Sequence, residues 1–190
     1  MTLHRQMFTS LKVMRRDLKG PAMSKAGNLW AVGFDEAERA AQVRDEITKL
    51  AWDEHCLILK DVEVAVRYPD GLFILDGEPF HEMTEVPTRN ATSFLASLAL
   101  GAPPMTGAAV GRLLDGFGFT PADVGISDDF VRQVAHLIKP GTSVLFVLDD
   151  LGDLDAILRS IRGLGGTVLK TSVDVERARL IQSTLAARNE

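Results

Sequence analysis

Cysteine is nearly absent: Cys56 stands alone among 190 residues, which excludes an internal disulfide framework and a cysteine-rich zinc site. Aromatic residues make up 6% of the chain, and glycine and proline are too few for a collagen-like or disordered polypeptide. Net positive charge is missing too. The formal charge of −5 leaves out the basic face expected of a dedicated nucleic-acid binder. Catalytic signatures are equally scarce. No phosphate-binding loop occurs, no Gly-x-Gly-x-x-Gly follows a strand, and no Gly-x-Ser-x-Gly elbow is present.

What is there is an apolar fraction of 46% in a chain long enough for one self-supporting core. The charge is unevenly spread. Residues 1–22 hold Arg5, Lys12, Arg15, Arg16 and Lys19 against Asp17, a net of +4, so the remainder carries −9. The leader has no apolar run of signal-peptide length, and Gly20-Pro21 punctuates it just before Met23. Two readings of it stay open: an extension ahead of a start at Met23 in place of Met1, or a basic arm for a membrane surface. The expected organisation is a basic, disordered leader at 1–27 and a single α+β domain over 28–188, with 91–118 a Gly/Ala-rich helical hairpin insertion.

Within the domain, Leu29-Trp-Ala-Val-Gly-Phe34 predicts a buried strand, and Asp35 is placed to cap a helix over 36–51. Val62, Val64 and Val66 alternate as in a strand. Tyr68-Pro-Asp-Gly71 supplies a turn, so 57–76 reads as a hairpin. Residues 91–118 hold small residues and no charge before Arg112, and Pro103-Pro104 divides them into a short αα-hairpin. Ser127 caps an expected helix over 126–139, which Pro140-Gly141 ends. Strands over 143–148 and 167–173 flank an expected helix at 152–163, and a closing helix covers 174–188. Strand, helix and strand thus occur twice. That grammar predicts a ferredoxin-like sandwich of two βαβ units, with an inserted hairpin strand and the small-residue αα-hairpin.

The block Leu137-Ile-Lys-Pro-Gly-Thr-Ser-Val-Leu-Phe-Val-Leu148, the Gly107-Ala-Ala-Val-Gly111 segment and Gly165-Gly-Thr-Val-Leu-Lys-Thr-Ser172 carry a resemblance. Over about 28–186 the chain resembles a bacterial family of unknown function, whose members are usually labelled predicted membrane proteins. The resemblance implies a non-enzymatic or uncharacterised role and supplies no catalytic residue to carry over.

Candidate chemistry is thin. His81 and Glu85 are four apart with Glu82 between them, as a His/carboxylate metal pair on a helix would be, yet the second histidine of a zinc-protease motif is missing. His55 and Cys56 offer an imidazole beside a thiol, read more simply as a surface group and a small apolar filler. Asp149, Asp150, Asp153 and Asp155 lack the spacing of a calcium loop. Gly107 and Gly111 permit close helix packing. The expected function is a cytoplasmic, non-enzymatic α+β module that forms homo-oligomers, with no cofactor, no nucleic-acid partner and an unknown small-molecule ligand. The first alternative is peripheral membrane association through 91–118 and the basic leader. The second is a small metal-dependent enzyme around His81, Glu82 and Glu85.

Overall fold

The computed structural model describes residues 26–53, 62–75, 77–79, 90–100, 120–149 and 165–186, and structural statements concern these alone. The elements in chain order are β1 (Ala26–Phe34), α1 (Arg39–Asp53), β2 (Val62–Arg67), β3 (Phe73–Leu75), β4 (Glu78–Pro79), α2 (Ala91–Leu100), α3 (Asp128–Leu137), β5 (Thr142–Asp149), β6 (Thr167–Asp174) and α4 (Val175–Ala186). A 3-10 turn over Pro121–Val124 precedes α3. Of the expected leader at 1–27, residues 1–25 lie outside the described residues, as do the second half of the αα-hairpin and the helix at 152–163, while Ala26 and Gly27 open β1.

All strands join one antiparallel sheet in the order β4-β3-β2-β5-β1-β6. β1 and β2 both run antiparallel to β5, so they are parallel to each other with β5 between them. β5 and β6 are related in the same way around β1. Two crossovers therefore interleave, as the repeated strand–helix–strand grammar requires. The whole order is nevertheless not that of a plain four-stranded ferredoxin-like sheet, because β3 and β4 extend it beyond β2. An α+β architecture is what the sequence and the structure share.

Coverage of both faces follows from β5. Its run of Val144 to Leu148 is apolar at every position, a pattern that suits a strand with no solvent face. Val144, Phe146 and Leu148 enter a core with Leu29, Ala31, Phe94, Phe130 and Ile181, built from α2, α3 and α4. Leu145 and Val147 enter the opposite core with Val32, Phe34, Val64, Val66 and the α1 residues Ala40, Val43 and Ile47. The α1 residues recur at helical spacing, which places one stripe against the sheet. All ten residues of α2 are buried. Its apolar residues Phe94, Leu95, Leu98 and Leu100 leave no charged side to offer water, and the hydroxyls of Ser93 and Ser97 are satisfied internally by Glu63 and the Phe94 carbonyl.

Local chemistry sets the joints. Gly71 takes φ 92° in the β2–β3 turn, its amide donates to the Tyr68 carbonyl at 3.0 Å, and the Leu72 amide donates to Asp70 Oδ1 at 3.0 Å. Ser127 caps α3 as expected, accepting from the Phe130 amide at 3.2 Å, with Asp128 and Asp129 in the first turn. The expected cap of α1 is different. Ser143, on β5, accepts from the Ala40 amide at 3.0 Å and donates to the Glu36 carbonyl at 2.6 Å, in place of Asp35. A side chain from a neighbouring strand does what the adjacent aspartate was expected to do, and α1 begins at Arg39.

Candidate functional site

The residues singled out for chemistry are mostly not placed by the structure. His55, Cys56, His81, Glu82, Glu85, Gly107, Gly111, Asp150, Asp153 and Asp155 all lie outside the described residues. Asp149 ends β5, paired in register with Asn28. Among the described residues no group of three or more His, Cys, Asp or Glu side chains could hold a metal ion.

Three arrangements emerge instead. The first surrounds Glu63, whose carboxylate is buried within an apolar core at 2% exposure. Its Oε1 accepts from Asn90 Nδ2 at 2.9 Å and from Ser93 Oγ at 2.6 Å. Asn90 Oδ1 in turn accepts from the Ser93 amide at 2.7 Å, capping α2, and the Asn90 carbonyl accepts from Gln182 Nε2 at 3.1 Å. One asparagine thus links β2, α2 and α4. Burying a carboxylate is costly, and charge-assisted hydrogen bonds of this length offset part of that cost. The alternation of Val62, Val64 and Val66 suggests water on Glu63's side of β2. That side is covered because α2 docks there, which no local pattern in β2 announces.

The second arrangement is Lys139-Pro-Gly-Thr-Ser143. Thr142 Oγ1 accepts from the Lys139 amide at 2.8 Å and lies 2.8 Å from both the Leu137 and Lys139 carbonyls, closing the end of α3. The Gly141 amide donates to the Arg67 carbonyl of β2 at 2.7 Å. Ser143, the next residue along an extended strand, points to the opposite face and reaches α1. Two successive hydroxyls therefore fasten helices on opposite faces to one strand. Both hydroxyls of this block thus serve the architecture of β5.

The third arrangement lies along the sheet edges. At one end, among the described residues, β4 has two residues, and the second is Pro79, which has no amide hydrogen to donate. At the other end β6 runs for eight residues without proline, and among the described residues it pairs on one side only, with β1. Val168 in β6 is 45% exposed. The Lys170 ammonium lies 4.6 Å from the centre of the Trp30 ring on β1. A lysine on an edge strand commonly guards it against pairing. Here the charge sits over the neighbouring strand's indole, a favourable cation–π contact.

The apolar segment 91–118 also carried a membrane expectation. Its described part, α2, spans roughly 15 Å at 1.5 Å per residue, against a hydrocarbon core of ~30 Å. Among the described residues no helix is long and apolar enough to cross a membrane.

With this geometry established, comparison with known proteins supplies a family. Residues 92–186, half of the chain, match a family described as "Protein of unknown function (DUF1269)". The chain belongs to this family. No curated protein and no solved structure matches it. The DUF1269 match contains α2, α3, β5, β6 and α4, and so includes Thr142, Ser143 and the whole β6 edge. It does not contain β1, the strand that stands between β5 and β6 in the sheet. The matched stretch draws its central strand contact from sequence that precedes it.

Proposed function

We propose that this chain is a non-enzymatic, cytoplasmic module that works by associating with itself. The observation that supports this most directly is the contrast between the two sheet edges. One is cut short by a two-residue strand ending in proline, while the other presents eight residues with a neighbour on one side among the described residues. An uncapped strand edge offers a row of backbone donors and acceptors to another strand. The two interleaved crossovers also support reading the four strands β2, β5, β1 and β6 as a ferredoxin-like core extended by β3 and β4. Such cores host many functions, so the edge and not the fold carries the proposal. Sedimentation velocity of the full chain from low micromolar to several hundred micromolar tests it. A sedimentation coefficient that rises with concentration is expected. A single monomeric species throughout would end the proposal.

A further inference from the structure

We infer that the partner is a second copy of this chain, joined β6 to β6 in an antiparallel pair about a two-fold axis at Thr171, and that assembly stops at the dimer. This rests on the self-association reading above and adds the surface, the register and the stoichiometry.

The register follows from what β6 contains. Its only charged residues are Lys170 and Asp174, of opposite sign and on the same face. Centring the pair on Lys170 would set two ammonium groups directly opposite each other, an unfavourable cross-strand contact. Centring it on Thr171 uses seven of the eight residues and opposes no like charges. On the face that carries α2, α3 and α4, Leu169 then meets Val173 of the second copy twice, with Thr171 meeting its own symmetry mate between them. Leu169 and Val173 already belong to the core on that face, so the pairing would continue an apolar layer across the joint. On the opposite face Lys170 meets Ser172 of the second copy, and Asp174 of that copy lies one diagonal step further. Diagonal neighbours are ~7–8 Å apart, within reach of a lysine. Leu169 thus meets Val173 and Lys170 approaches Asp174, twice each by symmetry, while Val168 lies opposite Asp174 and the two Lys170 side chains are themselves one diagonal step apart.

Closure follows from the other edge. A two-fold pair uses the same strand on both copies and leaves only β4 at each outer end. Among the described residues that edge is two residues, one of them a proline, which gives an incoming strand almost nothing to pair with, so the sheet does not propagate. The product is one continuous twelve-stranded sheet made from two six-stranded ones.

Ser172 is exposed and faces Lys170 of the second copy, which makes it the diagnostic position. Dissociation constants of the full chain, Ser172→Glu and Ser172→Lys would be measured by sedimentation at low salt, with far-UV circular dichroism and thermal melting checking each fold. Opposite-charge cross-strand pairs, counted twice, predict about 2- to 30-fold tighter association for Ser172→Glu and a comparable weakening for Ser172→Lys. The same charge changes at Thr167, outside the seven paired residues, should leave the constant unchanged. Hydrogen exchange on the unmodified chain gives an independent reading: amides within 169–173 should become more protected as concentration rises. Self-association with no response at Ser172 and no protection in β6 would overturn the edge assignment while leaving self-association intact. Species larger than the dimer would overturn closure. A monomer at every concentration would remove both this inference and the reading it rests on.

Discussion

Replacing Ser143 with alanine removes one oxygen atom and should destabilise both layers that meet at β5. The hydroxyl is fully buried, accepts from the Ala40 amide at 3.0 Å and donates to the Glu36 carbonyl at 2.6 Å. Alanine offers neither group a partner. An unsatisfied buried amide costs about 1–3 kcal/mol, and the loss of a helix-capping hydroxyl typically costs about 1 kcal/mol, two descriptions that overlap for Ala40. The Glu36 carbonyl adds less, because its residue is exposed and water can reach it. The expected loss is about 2–3 kcal/mol, or roughly 4–12 °C in Tm for a chain of this size. Urea unfolding at fixed protein concentration is the assay, since self-association would otherwise shift the midpoint. Thr142→Val serves as the comparison. It loses an acceptor for the Lys139 amide, but Lys139 is exposed and the Thr142 amide still donates to the Lys139 carbonyl, so about 1 kcal/mol is expected. Native-state hydrogen exchange at Ala40 should accelerate in Ser143→Ala and not in Thr142→Val. A Ser143→Ala protein with unchanged midpoint and slope would refute the view that this serine fastens α1 to the sheet.

Two further contrasts isolate single terms. Gly125→Ala and Gly71→Ala both impose a left-handed backbone, with φ 92° at each, but a Cβ at Gly125 would lie 2.7 Å from the Ser172 carbonyl oxygen while that at Gly71 meets open space. Gly71→Ala should cost about 1–2 kcal/mol and Gly125→Ala clearly more; equal melting temperatures would contradict the close approach of the 3-10 turn to β6. Asn90→Ala should destabilise by about 2–4 kcal/mol, because it removes both the α2 cap and a donor to the buried Glu63. Ser127→Ala removes only a cap and should cost about 1 kcal/mol, so equal losses in urea unfolding would show that the Asn90–Glu63 bond contributes nothing.

Legibility in the sequence tracked distance along the chain. The Ser127 cap and the Tyr68–Gly71 turn were readable because the residues that satisfy the backbone sit within three or four positions of it. The cap of α1 was not, because its acceptor lies 103 residues away, and Asp35 was the best local substitute. The burial of Glu63 was not legible for a related reason: it depends on α2 docking over β2, a tertiary event that a strand's own alternation cannot report. The apolar run in β5 did announce a buried strand, yet only its two separate cores reveal that both faces of the sheet are covered. The His81–Glu85 and Gly107–Gly111 expectations fall outside the described residues. The β6 edge was missed as a particular surface, although its freedom from proline and the isolation of Lys170 among uncharged neighbours were visible from the start.

The placement of β5 bears on how the chain is made as well as on how it stands. Synthesis delivers β1, α1, β2 and β3 long before β5, yet β1 and β2 do not touch; each needs β5 as its neighbour. Until the residues from Thr142 onward leave the ribosome, the two early strands have no common partner, and α1 lacks the hydroxyl that finishes its first turn. The first 141 residues therefore hold β1 and β2 with the edges that β5 will join still unpaired, although α1, α2 and α3 are already made, a state open to chaperones and to aggregation. The joining of β1 to the β2–β3–β4 side of the sheet waits on the last quarter of translation. A chain released early should fail as a whole, with no N-terminal half left standing.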